Sequence, residues 1–376
     1  MIEPRIGDPL GAVAGLNGGR LRPWRGLLVW SATSAPVALL LATGAAAGPT
    51  GINLLSTTTL AMLDPVVPVA LAALGVLVGL GMGERRADDP RLFGVACLAA
   101  AATLLVVSAG FAVPLVATSS MSRPLWILVL TAGICAATSL TLPAGSALEA
   151  RTPASRVIEL GVLPPIVAGG LVLAWLDAGS AGGAAVLLLR GCVLSIALAA
   201  AAWLLLERTS SETEERVFGV AALLLVGGVA AALGLSALFG GLIAGLFWRY
   251  AGRHPRGTIS RDVLFVQHPL LVLVLLVAGA RAEISLASVA LGAAYVALRV
   301  IGQLGGARLA SYVAGATAPP DLGLHLLPPG VFGVALALNA IGIVGADAAM
   351  LLGAVVVGTI GSELVAYLLP PRSVAA

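Results

Sequence analysis

Twelve stretches of about 20 mostly apolar residues, joined by short loops, dominate what this chain can fold into. A helix needs that length to cross a hydrocarbon layer ~30 Å thick at ~1.5 Å per residue. The stretches run over 27–46, 66–82, 92–115, 125–148, 157–176, 184–206, 217–233, 235–248, 263–280, 286–313, 323–344 and 348–369. The weakest division is between 217–233 and 235–248, where Gly234 is the only obvious break. Of the 376 residues, 59% are apolar and only 10% are charged. A soluble globule could not hide that share of apolar surface. The pattern predicts an all-α polytopic membrane protein whose first partner is the lipid bilayer. It excludes a cytosolic enzyme, a nucleic-acid binder and a disordered chain.

Arginine placement sets the expected orientation. With a cytoplasmic N-terminus, the inner loops hold Arg85, Arg86 and Arg91, then Arg151 and Arg156, then Arg208 and Arg216. Arg249, Arg253, Arg256 and Arg261 follow, and Arg372 lies beyond the last span; the outer loops hold only Arg123 and Arg281. An even span count with both termini cytoplasmic satisfies this asymmetry, which places the chain in the plasma (inner) membrane. Arg5, Arg20, Arg22 and Arg25 precede the first apolar run without a clear small-residue cleavage site, so no removable signal peptide is expected. Cys97, Cys135 and Cys192 are far apart inside apolar runs, which suggests neither a disulfide nor a metal site. No phosphate-binding glycine loop stands in a suitable context, and no cofactor is implied.

Two spans in corresponding halves are interrupted. The fourth carries Thr138, Ser139 and Thr141 just before Pro143 and Gly145; the eleventh begins Leu326-Leu327-Pro328-Pro329-Gly330. Proline removes a helical donor, so carbonyls before each break need other partners. Matched interruptions of this kind point to a transporter binding site.

Several segments then resemble the monovalent cation/proton antiporter superfamily, which includes sodium/proton exchangers and Kef-type carriers. Residues Leu41 to Leu54 resemble its first-helix signature, and Leu74 to Leu80 its second helix. Gly234 to Leu246 is similar to its glycine-rich GLSxxxGAFxAGL segment, Leu298 to Gly306 to its tenth helix, and Leu326 to Asn339 to its eleventh. The resemblance covers nearly the whole chain in order. It implies an inverted-repeat fold with helices 4 and 11 broken near the midplane. It also implies a cytoplasmic segment 1–26, one transmembrane domain 27–369 and a cytoplasmic tail 370–376. Within the domain, core helices would occupy about 92–176 and 286–369, and panel or dimer helices about 27–82 and 184–280. A homodimer exchanging a monovalent cation for a proton is the implied assembly and activity.

One expected group is missing. The family binds its cation and proton in competition on an acid of the fifth helix, whose position here falls near Leu163 and Pro164. No Asp is present, and Pro164-Pro165 interrupt a helix expected to be regular there. Glu159 is the nearest carboxylate, about 6–8 Å toward the cytoplasm; it pairs with Arg156 or Arg151, or serves as a retained neighbour of the site. Arg299 lies about 20 Å from the outer end of the tenth span. A cation so deep needs a partner or water. Gln303 is the other position where the family's tenth-helix basic residue aligns, and it is neutral. Asn339 either lines the pathway or bridges helices. Glu363 resembles a family position near the cytoplasmic end and reads as structural. Arg190 and Arg308 have the reach to snorkel, and His268 and His325 have no ligand spacing.

Three readings follow. The first is a secondary transporter with a degenerate ion site, offering Thr138, Ser139 and Thr141 oxygens, Glu159 as the nearby acid and Arg299 as a fixed charge. The second is an anion or other solute carrier on the same fold that uses Arg299. The third is a non-transporting membrane scaffold or subunit.

Overall fold

The computed structural model describes residues 37–81, 90–118, 123–139, 153–208, 211–251, 253–315, 321–344 and 348–369. Among them the chain is helical, with no strand. The first span contributes α1 (Val37–Ala47), a short α2 (Thr57–Met62) follows, and the second span is α3 (Val66–Gly81). Next come α4 (Pro90–Thr118) and α5 (Arg123–Ala136); the fifth span is split into α6 (Pro153–Gly161) and α7 (Leu163–Ala178). The sixth to tenth spans are α8 (Ala181–Arg208), α9 (Glu212–Ala232), α10 (Ala237–Ala251), α11 (Arg253–Arg281) and α12 (Leu286–Ala314). The eleventh is split into α13 (Leu322–Leu326) and α14 (Val331–Val344), and α15 (Ala349–Leu368) closes the series. The expected segments 1–26 and 370–376 lie outside the described residues.

Among the described residues, five stretches are long and apolar enough to cross a membrane by themselves: Arg91–Val116, Ala154–Ala178, Ala181–Arg208, Leu286–Ala314 and Ala349–Leu368. Shorter apolar helices stand at the other expected spans. The protein is therefore a multi-pass integral membrane protein.

Local chemistry explains the boundaries. The uncertain division at Gly234 is a true helix end. Gly234 has φ +65°, its N–H donates to the Ala231 carbonyl, and the Leu235 N–H reaches back to Ala230. This paired closure needs a left-handed residue, which glycine adopts without a Cβ penalty. Ser236 then accepts from the Phe239 N–H at the start of α10. At α12, Ser285 and Ser288 cap each other's backbone N–H groups. In the fifth span, Pro164 and Pro165 have no N–H to offer Leu160 and Gly161 four residues back, so the helix restarts at Leu163.

Two sets of contacts stand out in the packing, joined to each other by α7 on α8 and by α1 and α11 on α15. One joins α4 to α12, α12 to α15, and α5 to α14; the other joins α10 to α3 and α8, and α1 to α11. Close approach in the second group depends on small residues. Gly75 and Gly79 of α3 meet Gly241 and Gly245 of α10 backbone to backbone. A side chain at Gly241 would run into the Ala72 carbonyl, whereas Gly228 of α9 faces open space. Gly241→Val is expected to lower stability in detergent by about 1–3 kcal/mol, read as a fall in thermal midpoint, while Gly228→Ala leaves it unchanged or raised.

Candidate functional site

The site forms where the two broken spans meet. Helix α5 ends at Ala136 and α13 ends at Leu326, so both leave carbonyls without helical donors. Arg299, 1% exposed, lies between them. Its Nε donates to the Ala136 carbonyl at 3.1 Å and its Nη1 to that of Leu327 at 2.6 Å. Its Nη2 donates to the Thr138 carbonyl at 2.8 Å and to that of Pro328 at 3.3 Å. Four of the five guanidinium N–H groups are thus spent on backbone of the two breaks. Gln303, one turn along α12 and also 1% exposed, donates a second bond to Ala136 at 3.1 Å.

The expected hydroxyls contribute less. Thr138 Oγ1 donates to the Cys135 carbonyl at 2.8 Å and so serves its own helix end. Ser139 is buried and, with Gln303, Ala137, Val157, Gly161 and Leu326, lines a void of about 10 Å³ beside the break. Such a void is about one water wide. Thr141 and Pro143 lie outside the described residues. At the second break, Pro328 supplies a carbonyl, Pro329 follows it, and Gly330 accepts from the Gly333 N–H as α14 begins.

The position of the expected acid is apolar: Leu163 is buried, as are Val162 and Ile166. Pro164 and Pro165 occupy the first turn of α7. Glu159 pairs with Arg156 at 3.0 Å. Val157 and Gly161, four residues apart on one face of α6, line the void; Glu159, midway between them in sequence, projects from the other face. The structure therefore brings Thr138, Ser139, Arg299 and Gln303 together and leaves Glu159 outside that group. Asn339 serves elsewhere: its Oδ1 accepts from the Ala237 N–H at 3.3 Å, at the start of α10. Its buried Nδ2 has no partner among the described residues. Arg190, Arg308 and His268 are exposed and His325 is half-buried. Among the described residues no group of acidic, His or Cys side chains could hold a metal ion.

The backbone carbonyls that meet Arg299 carry no sequence signature beyond the prolines that follow them. Glu363 lies in the last third of α15, five residues before Leu368. Helix α15 runs alongside α12 in the same direction, with Gly292 against Val357, Tyr295 against Gly358 and Val296 against Gly361. Continued in step, those pairings bring Glu363 level with Leu298–Val300, beside the level of Arg299 and about 8 Å before the Leu368 end of α15. A long tenth helix extending well past Arg299 conceals this in the sequence.

No protein-family model and no curated protein matches the sequence. A solved structure does: the sodium proton antiporter MjNhaP1 from Methanocaldococcus jannaschii at pH 8 superposes with a TM-score of 0.60 at 18% identity, over 89% of each chain. The chain has the sodium/proton antiporter fold.

Removing the guanidinium strands buried carbonyls, each worth about 1–3 kcal/mol. Arg299→Lys, with a compact ammonium in place of a planar fork, is expected to lower stability by more than about 2 kcal/mol in detergent unfolding. Glu159→Gln, which removes a partly exposed ion pair, should change it by less than about 1 kcal/mol.

Proposed function

We propose that the protein is a secondary-active membrane transporter resembling the monovalent cation/proton antiporters, with a degenerate ion-binding site. The observation that carries the reading is the meeting of the α5 end with the α13–α14 break, held by one buried arginine. Unwound backbone inside a membrane is tolerated only where protein or water covers it. Carriers use such breaks to handle ions, because half-helix ends present unspent carbonyls and N–H groups. The likeness to a sodium proton antiporter over most of the chain supports the same reading. The site is degenerate because Leu163 stands where an acid would exchange a proton for a cation. In this reading the chain lies in the inner membrane with both termini cytoplasmic and assembles as a homodimer.

A second reading rests on one observation. Arg299 has no acidic partner among the described residues, since its bonds go to backbone. An unbalanced guanidinium at ~6 Å attracts a unit anion by about 3 kcal/mol at an effective dielectric constant of ~20. That favours an anionic solute.

Purified protein reconstituted into vesicles with an interior pH dye separates the two. An imposed sodium or potassium gradient is expected to move protons. No proton movement with either ion, in vesicles of verified orientation, overturns the cation reading. Uptake of a labelled anion that disappears in Arg299→Gln would establish the second.

A further inference from the structure

The membrane-embedded acid absent from the fifth span has a counterpart on the last one. Glu363 is 9% exposed on α15, about 21 Å from the Ala349 end at ~1.5 Å per residue. Arg299 lies about 20 Å from the start of α12 on the same scale, and the paired packing of these parallel helices brings the two residues level. Arg299 nonetheless does not neutralise Glu363, because its hydrogen bonds go to the breaks. Instead Glu363 Oε2 accepts from the Ala38 N–H of α1 at 2.6 Å. Ala38 is the second residue of α1, so the carboxylate meets the N-terminal turn of that helix.

The surroundings are those of a polar site and not of a lone interfacial acid. Thr359, one turn before Glu363, is 3% exposed and shares its face; Ser362, beside it, is 1% exposed. The Ser362 hydroxyl has no partner among the described residues. A buried hydroxyl with nothing to bind is costly unless water or an ion reaches it in some state. Among the described titratable side chains on helices packed against α15, Arg299 and Tyr295 of α12 stand at or about one turn from this level, and Cys135 of α5 lies near Tyr295. His268 of α11 is exposed, while α1 and α14 contribute none. Tyr367 follows one turn along α15 itself.

We propose that Glu363 is the proton-binding carboxylate of this carrier and that its protonation loosens α1 from α15. The transport role rests on the function proposed above. An ionised carboxylate at the start of α1 is held by a charge-assisted hydrogen bond and by the positive end of the helix. On taking one proton from water, the carboxylate becomes a neutral carboxylic acid and the helix end loses its counter-charge. Its bond to the Ala38 N–H then falls to the strength of a neutral one, roughly half. Helix α15 packs with the group that contains the broken helices, whereas α1 packs on α11. Proton uptake therefore weakens a tie between the two groups, whose relative movement would carry the site from one side to the other. Proton binding and movement are coupled through this contact of α1 with α15.

Infrared difference spectra of the full-length protein across a pH step test the assignment. The carbonyl stretch of a protonated carboxylic acid should appear on acidification in the wild type, vanish in Glu363→Gln and persist in Glu363→Asp. Cation-driven proton flux in vesicles should fall at least tenfold in Glu363→Gln. A band unchanged in Glu363→Gln, or one removed by Glu159→Gln instead, overturns the proposal. If Glu363→Gln does not yield a monodisperse protein, Glu363→Asp decides alone: a band at a shifted pH with altered flux supports the assignment, and a wild-type profile overturns it. A wild type that shows the Glu363 band but moves no ion refutes the carrier reading and leaves a proton site without a transport role.

Discussion

The guanidinium of Arg299 holds the middle of this protein together. Two helices stop inside the membrane, and the carbonyls they leave cannot turn to water there. A planar cation with several fixed donors is well matched to them, and Arg299 serves both breaks at once through Ala136, Thr138, Leu327 and Pro328. Gln303 extends the same service by one helical turn. The breaks, the depth of the arginine and the packing of α12 against α4 and α15 are consequently a single arrangement. None of these elements would be stable at that depth without the others.

The charge balance follows from it. Arg299 is committed to backbone dipoles, and the fifth span offers it no acid: Leu163 is buried and two prolines restart the helix behind it. The carboxylate found at the same depth belongs to α15 and is answered by the start of α1. Positive and negative charges in the membrane are thus each stabilised by helix ends, the cation by carbonyls and the anion by N–H groups, and not by each other. That separation distinguishes the centre of this molecule from a simple buried ion pair, in which mutual attraction must offset the desolvation of both partners.

Much of the architecture was legible in the sequence because lipid imposes strict rules. Apolar length marked the spans, and Pro328-Pro329 marked the break in the eleventh. Gly234 marked the α9–α10 division through the left-handed turn it permits. The depth of Arg299 made it conspicuous before any coordinates. Other features could not be read. Nothing in Ala136 or Leu327 identifies a functional carbonyl, because every residue has one. Glu159 attracted notice by sequence proximity, yet helical phase turns it away from the void lined by Val157 and Gly161. The level shared by Glu363 and Arg299 depends on the register of α15 against α12, which neither span shows alone.

By itself the sequence determined a multi-pass helical membrane protein with two interrupted spans, one deep arginine and no acid in the fifth span. Those properties follow from hydropathy, helix pitch and the chemistry of proline, which act over short stretches of chain. Tertiary structure alone decided what the arginine binds, which way Glu159 points and which acid shares its depth. Each depends on the register between helices far apart in sequence, set by side-chain packing and close backbone approach, and local sequence carries no record of that register.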